Sequence, residues 1–189
     1  NMSFTERTGD SNPFNSINPI TVDGTIALSF IDVNKDGNMD LVVGARDGYS
    51  LNGNLSYFEN TGNMSFTERT GDSNPFNSIN VGSLAATSFI DVNKDGNMGL
   101  VVGGHLGTLN YYENTGSMSF TERTGASNPF NSINVGSFSN PTFIDVNKDG
   151  NMDLVVGAQN GNLKYYENTG SMSFTERTGD SNPFNSINV

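Results

Sequence analysis

A nine-residue segment rich in aspartate and asparagine occurs three times in this chain, and it constrains the fold more than any other feature. The copies begin at Asp32, Asp91 and Asp145 and read Asp-Val-Asn-Lys-Asp-Gly-Asn-Met-Asp, except that the second copy ends in Gly99. The apolar run Leu-Val-Val-Gly follows every copy. Because the polar segment and the apolar run recur together, they belong to one structural unit, and the chain is an array of such units.

A second repeated segment sets the size of the unit. The residues Met-Ser-Phe-Thr-Glu-Arg-Thr-Gly begin at Met2, Met64, Met118 and Met172, at intervals of 62, 54 and 54 residues. Units of this length with several short apolar segments favour propeller blades over helical solenoids. No apolar period typical of an amphipathic helix occurs, so we predict no helix.

The third unit shows four predicted strands, which are separated by Asp-Gly, Asn-Gly and Asn-Thr-Gly turn signals. The strands span residues 142–146, 153–157, 162–167 and 173–177. The Leu-Val-Val run has no polar alternation, which predicts burial of both faces between stacked blades. The last strand alternates Phe with Ser and Thr and then becomes charged, so we expect it at the exposed outer edge.

These patterns predict an all-β protein, namely a β-propeller of four-stranded antiparallel blades with three blades in this chain. Residues 1–20 hold a spare outer strand and its connection, and the blades follow at 21–80, 81–134 and 135–189. Propellers usually have about four to eight blades, so three alone would leave apolar faces uncovered. We expect closure by oligomerisation, with a homodimer of six blades favoured over a longer array, and the spare strand could act as a clasp.

The repeated loops carry oxygen ligands on alternate residues and a glycine, a spacing that wraps a hard cation, above all Ca²⁺. The predicted ligands are Asp32, Asn34, Asp36, Asn38 and Asp40 in the first loop, Asp91, Asn93, Asp95 and Asn97 in the second, and Asp145, Asn147, Asp149, Asn151 and Asp153 in the third. Asn38 would contribute its backbone carbonyl. The three loops predict up to three Ca²⁺ ions per chain. We expect the second ion to be held more weakly, because Gly99 replaces the last aspartate of that loop.

The loops have two other possible interpretations, an EF-hand and a plain hairpin turn. An EF-hand requires a glutamate at its twelfth position and flanking helices, whereas Val43, Val102 and Val156 stand there, inside predicted strands. A plain hairpin turn held by Asx hydrogen bonds is the remaining alternative. The near-identity of the repeats would preserve such a turn without any metal.

With these residues in view, the chain resembles the FG-GAP/VCBS type of β-propeller repeat, as in integrin α-subunit heads and certain fungal and bacterial lectins. The resemblance covers nearly the whole chain and rests on Phe-Ile-Asp-Val-Asn-Lys-Asp-Gly-Asn-Met-Asp-Leu-Val-Val-Gly. It implies that the aspartate loop joins the first two strands of a blade and binds Ca²⁺. It also implies a role in adhesion, sugar binding or scaffolding. The Phe-Gly dipeptide is absent before the loop, so the match is closer to the VCBS variety.

Differences among the repeats gather at the blade end opposite the aspartate loops, and we expect any ligand to bind there. Arg46, His105 and Gln159 occupy equivalent turns at that end and are the candidate ligand-binding residues. The aromatic residue of each Ser-Asn-Pro-Phe-Asn-Ser-Ile-Asn connection, such as Phe76 or Phe130, could line a repeated pocket. The favoured interpretation is that these rings wedge between neighbouring blades.

Composition argues against several function classes. The chain has 20 acidic and 9 basic residues and a formal charge of −11, which repels phosphate backbones and anionic lipid. We therefore expect no nucleic-acid partner and no membrane insertion. There is no cysteine, and any Ser-His-Asp triad would have to use His105, the only histidine. We assign no catalytic residue and expect a protein that is not an enzyme.

The leading interpretation is a calcium-stabilised binding module, extracellular or at the cell surface, with a glycan as the possible ligand on family grounds. The absence of Trp weighs against a sugar ligand, since Trp often stacks on sugar faces, although Tyr can serve. The alternative is a purely structural or engineered propeller scaffold with no small ligand. The near-identity of the copies suits that alternative.

Overall fold

The computed structural model describes residues 3–15, 17, 26–45, 53–63, 65–82 and 86–188. Within these residues the chain forms three four-stranded antiparallel sheets, each with its strands in chain order. Blade 1 contains β1 (Ile26–Ile31), β2 (Asp40–Ala45), β3 (Leu55–Asn60) and β4 (Phe66–Arg69). Blade 2 contains β5 (Ala86–Ile90), β6 (Gly99–Gly103), β7 (Leu109–Asn114) and β8 (Phe120–Arg123). Blade 3 contains β9 (Asn140–Ile144), β10 (Asp153–Gly157), β11 (Leu163–Asn168) and β12 (Phe174–Arg177). The predicted all-β fold of three four-stranded blades is confirmed.

The predicted strands of the third unit lie close to the observed ones, with one shift at the entry to the loop. The second strand has the predicted bounds, 153–157, but β9 lies two residues earlier than the predicted 142–146. The reason is that Asp145 already belongs to the loop. Its carboxylate accepts hydrogen bonds from the backbone N–H groups of Asp149 and Gly150, which draws this part of the chain out of the ladder.

Short 3₁₀ helices in the connections were not predicted. They span Gly9–Ser11, Gly71–Ser73, Gly125–Ser127 and Gly179–Ser181. Each begins with a glycine at a φ of 55 to 57°, a conformation that costs glycine little. A three-residue helix shows no apolar period, so the pattern could not reveal it. The prediction of no helix holds for α-helices in the described part of the chain.

The blades stack face to face through two apolar cores. The first core joins Val42 and Tyr57 of blade 1 to Leu100, Val102 and Tyr112 of blade 2. Equivalent residues of blades 2 and 3 form the second core. Successive residues of the middle strands therefore point into opposite cores, as their unbroken apolar run predicts. This is the arrangement of consecutive propeller blades.

The first strand of each blade is innermost, and the last strand is at the rim. β5 contacts both β1 and β9, and the Ser29 hydroxyl hydrogen-bonds to Thr87 across the first of these contacts at 2.8 Å. In β4, β8 and β12 the Thr and Glu side chains are exposed. An ion pair such as Arg177 to Glu167, at 2.7 Å, holds each rim strand to its neighbour. The predicted exposed outer edge is confirmed.

The aromatic residue of each connection wedges between two blades. Phe76 is fully buried, and its ring centroid lies 5.9 Å from that of Tyr57 in blade 1. On its other side it lies 6.0 Å from Phe89 and 4.8 Å from Phe120, both in blade 2. Phe130 makes the same three contacts one blade later. The structure thus supports the wedge interpretation over a ligand pocket at these rings.

The arc of blades is open at both ends. Ile144, on the outer face of blade 3, is 51% exposed, and Phe30, on the outer face of blade 1, is 46% exposed. Residues 3–8, the spare copy of the outer strand, form no strand pairing within the described residues, and Phe4 is 99% exposed. The clasp role of this segment stays a prediction. Among the residues that the structure describes, no helix has the length and apolar character needed to span a membrane.

Candidate functional site

Each aspartate loop joins the first and second strands of its blade and wraps around its own side chains. In the first loop the Asp32 carboxylate accepts hydrogen bonds from the backbone N–H groups of Asp36 and Gly37, at 3.0 and 2.9 Å. The Asn34 Oδ1 accepts the same Asp36 N–H at 3.1 Å. Lys35 and Gly37 turn the backbone with φ values of 60° and 89°. One shared N–H therefore holds an oxygen of Asp32 and an oxygen of Asn34 close together.

The middle aspartate completes this group of oxygens. Its Oδ1 accepts the Asn38 N–H at 2.7 Å, and its Oδ2 accepts the Asn34 amide at 3.2 Å. The hydrogen bond from the Asn38 backbone lowers the pKa of Asp36 below its ordinary value, so this carboxylate is ionised at neutral pH. The second and third loops repeat these contacts.

The first three predicted ligands of each loop therefore come together as two carboxylates and one amide. Oxygen donors of this kind suit a hard cation such as Ca²⁺, which takes about six to eight of them. The same contacts are also those of an Asx turn, in which side-chain oxygens hold backbone N–H groups. In the described part of the chain, no three Asp, Glu, His or Cys side chains are grouped so as to hold a metal. The loops fit Ca²⁺ in the chemistry of their donors, and the remaining donors would have to be carbonyls and water.

The last aspartate of the first loop lies in a different environment. Asp40 is fully buried, and its Oδ2 accepts the Val33 N–H at 3.1 Å and the Tyr57 hydroxyl at 2.9 Å. Its Oδ1 accepts the Asn60 N–H at 2.8 Å. Asp153 makes the same three hydrogen bonds in blade 3. The structure thus assigns these two predicted ligands to tying the base of the loop to the third strand, and does not group them with the other carboxylates.

Burial affects the ionisation of Asp40 and of its hydrogen-bond donor Tyr57. It raises the pKa of the Asp40 carboxyl, and hydrogen bonds from Asn60, Val33 and Tyr57 act against it. Burial also raises the pKa of the Tyr57 hydroxyl, and the hydrogen bond to Asp40 raises it further. In blade 2 the anchor is missing, and the space beside Gly99 is filled by the ring of Tyr111.

Two other predicted ligands lie between loops. The Lys35 ammonium donates to Asn97 Oδ1 at 2.8 Å, and the Lys94 ammonium donates to Asn151 Oδ1 at 2.8 Å. These amide oxygens face the loop of the preceding blade because they bind its lysine. No role for these lysines was predicted from the sequence, although the lysine that recurs in every loop was the available signal.

The candidate ligand-binding residues are placed as follows. Arg46 lies outside the described residues. His105 is exposed in the β6–β7 turn, and its ring packs edge-on against Phe138 with centroids 4.6 Å apart. The exposed Gln159 occupies the equivalent turn of blade 3, where its N–H donates to the Ser137 carbonyl at 3.1 Å. Both turns are therefore fixed against the connection from blade 2.

A surface cavity of about 530 Å³ lies beside Gln159, between that connection and the turn. Its lining consists of Val135, Gly136, Ser137, Gln159 and Asn160. The amide and hydroxyl groups among these residues can both donate and accept hydrogen bonds. No aromatic ring lines the cavity, so stacking on a sugar face is not available there. The arrangement suits a small polar ligand that is held by hydrogen bonds.

Comparisons with known proteins agree with this architecture. Residues 32–102 and 91–156 each match the FG-GAP-like repeat family, and together they cover more than half of the chain and all three loops. No curated protein matches. A lectin of Agrocybe aegerita has a similar structure, with a TM-score of 0.54 and 17% sequence identity, over 85% of this chain and 40% of the lectin chain. That structure concerns specific recognition of non-reducing terminal N-acetylglucosamine. At this identity the likeness shows the fold alone, and this chain spans about 40% of the lectin's length.

Proposed function

The chain belongs to the FG-GAP-like repeat family, and from this premise we propose that it is a propeller binding module for glycans and has no catalytic activity. The observation that carries the proposal is that the repeats are nearly identical at one end of the blades and differ from one another at the opposite end. Near-identical loops lie at one end of the blades. At the other end, the variable turn of blade 3 borders a cavity with polar side chains. The shared fold with a lectin supports glycans as the ligand class.

The cavity beside Gln159 is the proposed binding site. A sugar presents several hydroxyl groups, and the Ser137 hydroxyl and the amides of Gln159 and Asn160 offer matching donors and acceptors. His105 holds the equivalent position in blade 2, where its ring packs on Phe138, so the two turns would differ in affinity. The absence of an aromatic platform predicts weak binding at a single site.

The test is a titration with N-acetylglucosamine-terminated and galactose-terminated oligosaccharides, followed by calorimetry or on a glycan array. We expect saturable binding of at least one class, weakened about tenfold or more by Gln159→Ala, which corresponds to about 1.4 kcal/mol or more. Thr175→Ala, on the exposed rim strand, is the matched control and should leave binding unchanged. Binding that is insensitive to Gln159→Ala would remove the cavity from the proposal.

The proposal extends to Ca²⁺ in the loops, with up to three ions per chain. Grouped oxygens of Asp32, Asn34 and Asp36 support it in the first loop, and the other loops repeat the group. The second ion is the weakest because Gly99 leaves that loop without its buried anchor. Such an ion would supply a positive charge that holds the carboxylates together. Binding at about 10⁻⁴–10⁻³ M, the range of extracellular Ca²⁺ modules, would fit a protein outside the cell or on its surface.

The open arc supports one further part of the proposal, that a second copy of the chain completes the ring with six blades. Uncovered apolar faces on blades 1 and 3 carry this part. An unliganded structural scaffold is the second candidate function. The favouring observation is that the loops satisfy their own oxygens with backbone N–H groups, as a structural turn would. Absence of binding across a broad glycan array would favour the scaffold.

A further inference from the structure

We propose that the second copy docks head to tail, and that its C-terminal connection takes the place now held by the N-terminal connection of the first. This inference rests on the proposed closure of the ring. The terminal connections of the chain are the N-terminal wedge, residues 9–15 and 17, and the C-terminal wedge, residues 179–187. They are copies of the connection that separates every pair of blades.

The outer face of blade 3 is one half of an interface that the chain already builds twice. Ile31 and Ile90 hold equivalent positions in blades 1 and 2, where the next blade covers them to 5% and 3% exposure. In blade 3 the equivalent Ile144 is 51% exposed. This face therefore presents the surface on which a following blade packs.

The outer face of blade 1 is the other half. Its Phe30 is 46% exposed, whereas the equivalent Phe89 of blade 2 packs into the first core. Leu28 is 60% exposed, whereas the equivalent Thr87 is 9% exposed. The two open faces of one chain are thus complementary to each other. In a head-to-tail dimer, blade 3 of each copy covers blade 1 of the other, so the two junctions bury all four open faces.

The C-terminal wedge lacks the partners that the internal wedges have. Phe184 is half-buried, and among the described residues it has one ring contact, with Tyr165 at 6.0 Å, whereas Phe76 has three. Ile187 is 44% exposed, whereas the equivalent Ile79 is 4% exposed. A cleft of about 220 Å³ lies beside them. The missing partners are the two phenylalanine rings that a following blade would bring.

The N-terminal wedge occupies the matching place on blade 1. Phe14 lies 6.2 Å from Phe30 and 5.1 Å from Phe66. Phe76 and Phe130 contact the two equivalent rings of the following blades. Phe14 is itself 41% exposed because no tyrosine of a preceding blade covers it. Only one phenylalanine can fill this place, so docking of a second copy requires the N-terminal wedge to leave.

A polar contact marks the same junction. The lysine of each loop donates to an asparagine of the next loop in the pairs Lys35–Asn97 and Lys94–Asn151. Lys148 is the equivalent lysine of blade 3, and it is exposed and has no such asparagine in the described part of the chain. In a head-to-tail dimer, Asn38 of the second copy is the residue that meets it.

Two substitutions at equivalent positions should have opposite effects on dimerisation, measured by sedimentation equilibrium. Phe184→Ser removes the docking wedge and should weaken the dimer about tenfold or more. Phe14→Ser weakens the competing wedge and should strengthen the dimer by a similar factor. Leu106→Ser, in the middle blade at a residue that is 72% exposed, is the control and should change nothing. Circular dichroism confirms that each variant is folded.

Covalent capture gives a readout that does not depend on core variants. The chain has no cysteine, so one Lys148→Cys chain and one Asn38→Cys chain can be mixed with a short bis-maleimide. We expect a covalent dimer from the mixture and none from either variant alone. Lys94→Cys combined with Asn151→Cys in one chain is the positive control, because those residues are in contact.

The outcomes separate this inference from the proposal on which it rests. A wild-type chain that stays monomeric, with Phe14→Ser also monomeric, overturns both ring closure and the docking mode. A wild-type dimer that Phe184→Ser leaves intact, or that gives no Lys148–Asn38 cross-link, overturns the docking mode alone. A dimer that Phe14→Ser weakens shows that the N-terminal wedge belongs to the junction and overturns the exchange. Glycan binding is measured separately and is not affected by any of these results.

Discussion

At the scale of single residues, the same amino acid has two roles within one loop. The Asp32 and Asp36 carboxylates lie at the surface and hold backbone N–H groups of the loop. Asp40 lies at the start of β2 and is fully buried under three hydrogen bonds. A buried acceptor is costly to remove because its donors lose their partners and cannot reach water. The buried aspartate therefore contributes to stability whether or not the loop binds a metal.

Replacing the buried aspartate should destabilise the fold without any ligand present. Asp153→Ala leaves the Tyr165 hydroxyl and the N–H groups of Val146 and Asn168 without an acceptor. We expect a loss of about 1–3 kcal/mol in the free energy of unfolding, measured by urea denaturation in the presence of EDTA. Asp72→Ala, at an exposed position, is the matched control. A loss no larger than that of the control would contradict the assigned role.

The two kinds of aspartate should respond to acid in opposite directions. Asp36 has a lowered pKa, so its stabilising contribution is present above pH 3.8 and is lost as the pH falls through its folded pKa. Asp40 has a pKa raised above 3.8, so its ionisation lowers stability as the pH rises through its folded pKa. In EDTA, Asp36→Asn should make the acid loss of stability shallower, and Asp40→Asn should make it steeper. Unfolding free energies measured between about pH 3 and 6 test both signs, and equal slopes in the two variants would refute them.

The sequence could predict the group of oxygens in each loop but not how its members divide. Alternate Asp and Asn residues before a glycine indicate a wrapping loop, and Asp32, Asn34 and Asp36 do come together. Whether Asp40 points into the loop or into the core depends on where β2 begins, which the spacing alone does not fix. Likewise, Asn97 contacts Lys35 of another blade, and such a contact exists only after the blades have stacked.

At the scale of elements, each connection between two blades places a buried ring against both of them, as Phe76 does. Strands with period-two or unbroken apolar patterns, bounded by Gly and Asn turns, were predictable from the sequence. The short 3₁₀ helix that precedes each wedge ring was not predictable, because its only signal is one glycine with a positive φ, such as Gly71 or Gly125.

Loss of an internal wedge should be among the most damaging single changes in the chain. Phe130 is fully buried among three aromatic rings, so Phe130→Ala removes contacts to both blades and leaves a cavity. We expect a loss of about 3–5 kcal/mol in the free energy of unfolding, measured by denaturant titration. Leu106→Ala, at a residue that is 72% exposed, should cost almost nothing. Similar effects of the two changes would contradict the wedge assignment.

The proposed ions should make the loops a source of stability that depends on calcium. Extracellular Ca²⁺ modules bind at about 10⁻⁴–10⁻³ M. At a tenfold excess over the dissociation constant, each occupied loop adds about 1.4 kcal/mol to the free energy of unfolding. We therefore expect the melting temperature to fall on addition of EDTA and to recover with excess Ca²⁺. An Asp32→Asn, Asp36→Asn variant should lose part of this response, and a wild-type melting curve that EDTA leaves unchanged would remove metal from the account of stability.

At the scale of the whole molecule, the three blades form an arc whose ends match each other. Ile144 at one end and Phe30 at the other are exposed where their counterparts are covered, so the molecule carries both halves of its own interface. The need for closure was predictable from the sequence, because three blades are fewer than the roughly four to eight of a closed propeller. It could not show which residues would compete at the junction, since the N-terminal wedge has the same sequence as residues 71–79.

Closure by a second copy should make thermal stability depend on protein concentration. An equilibrium that buries the faces around Ile144 and Phe30 only in the dimer shifts toward the folded dimer by mass action. We expect the melting temperature of the wild-type chain to rise with concentration over about two decades in scanning calorimetry. Phe184→Ser should flatten this dependence, and a wild-type melting temperature that is independent of concentration would argue against closure in solution.

The lysine-to-asparagine contact that links successive loops also has a consequence for how such a chain can change in evolution. Every junction joins the same donor on one unit to the same acceptor on the next, with the same aromatic wedge between them. Unequal recombination that duplicates or deletes residues 81–134 would therefore join surfaces that already fit. The gene can change its copy number without inventing a new contact.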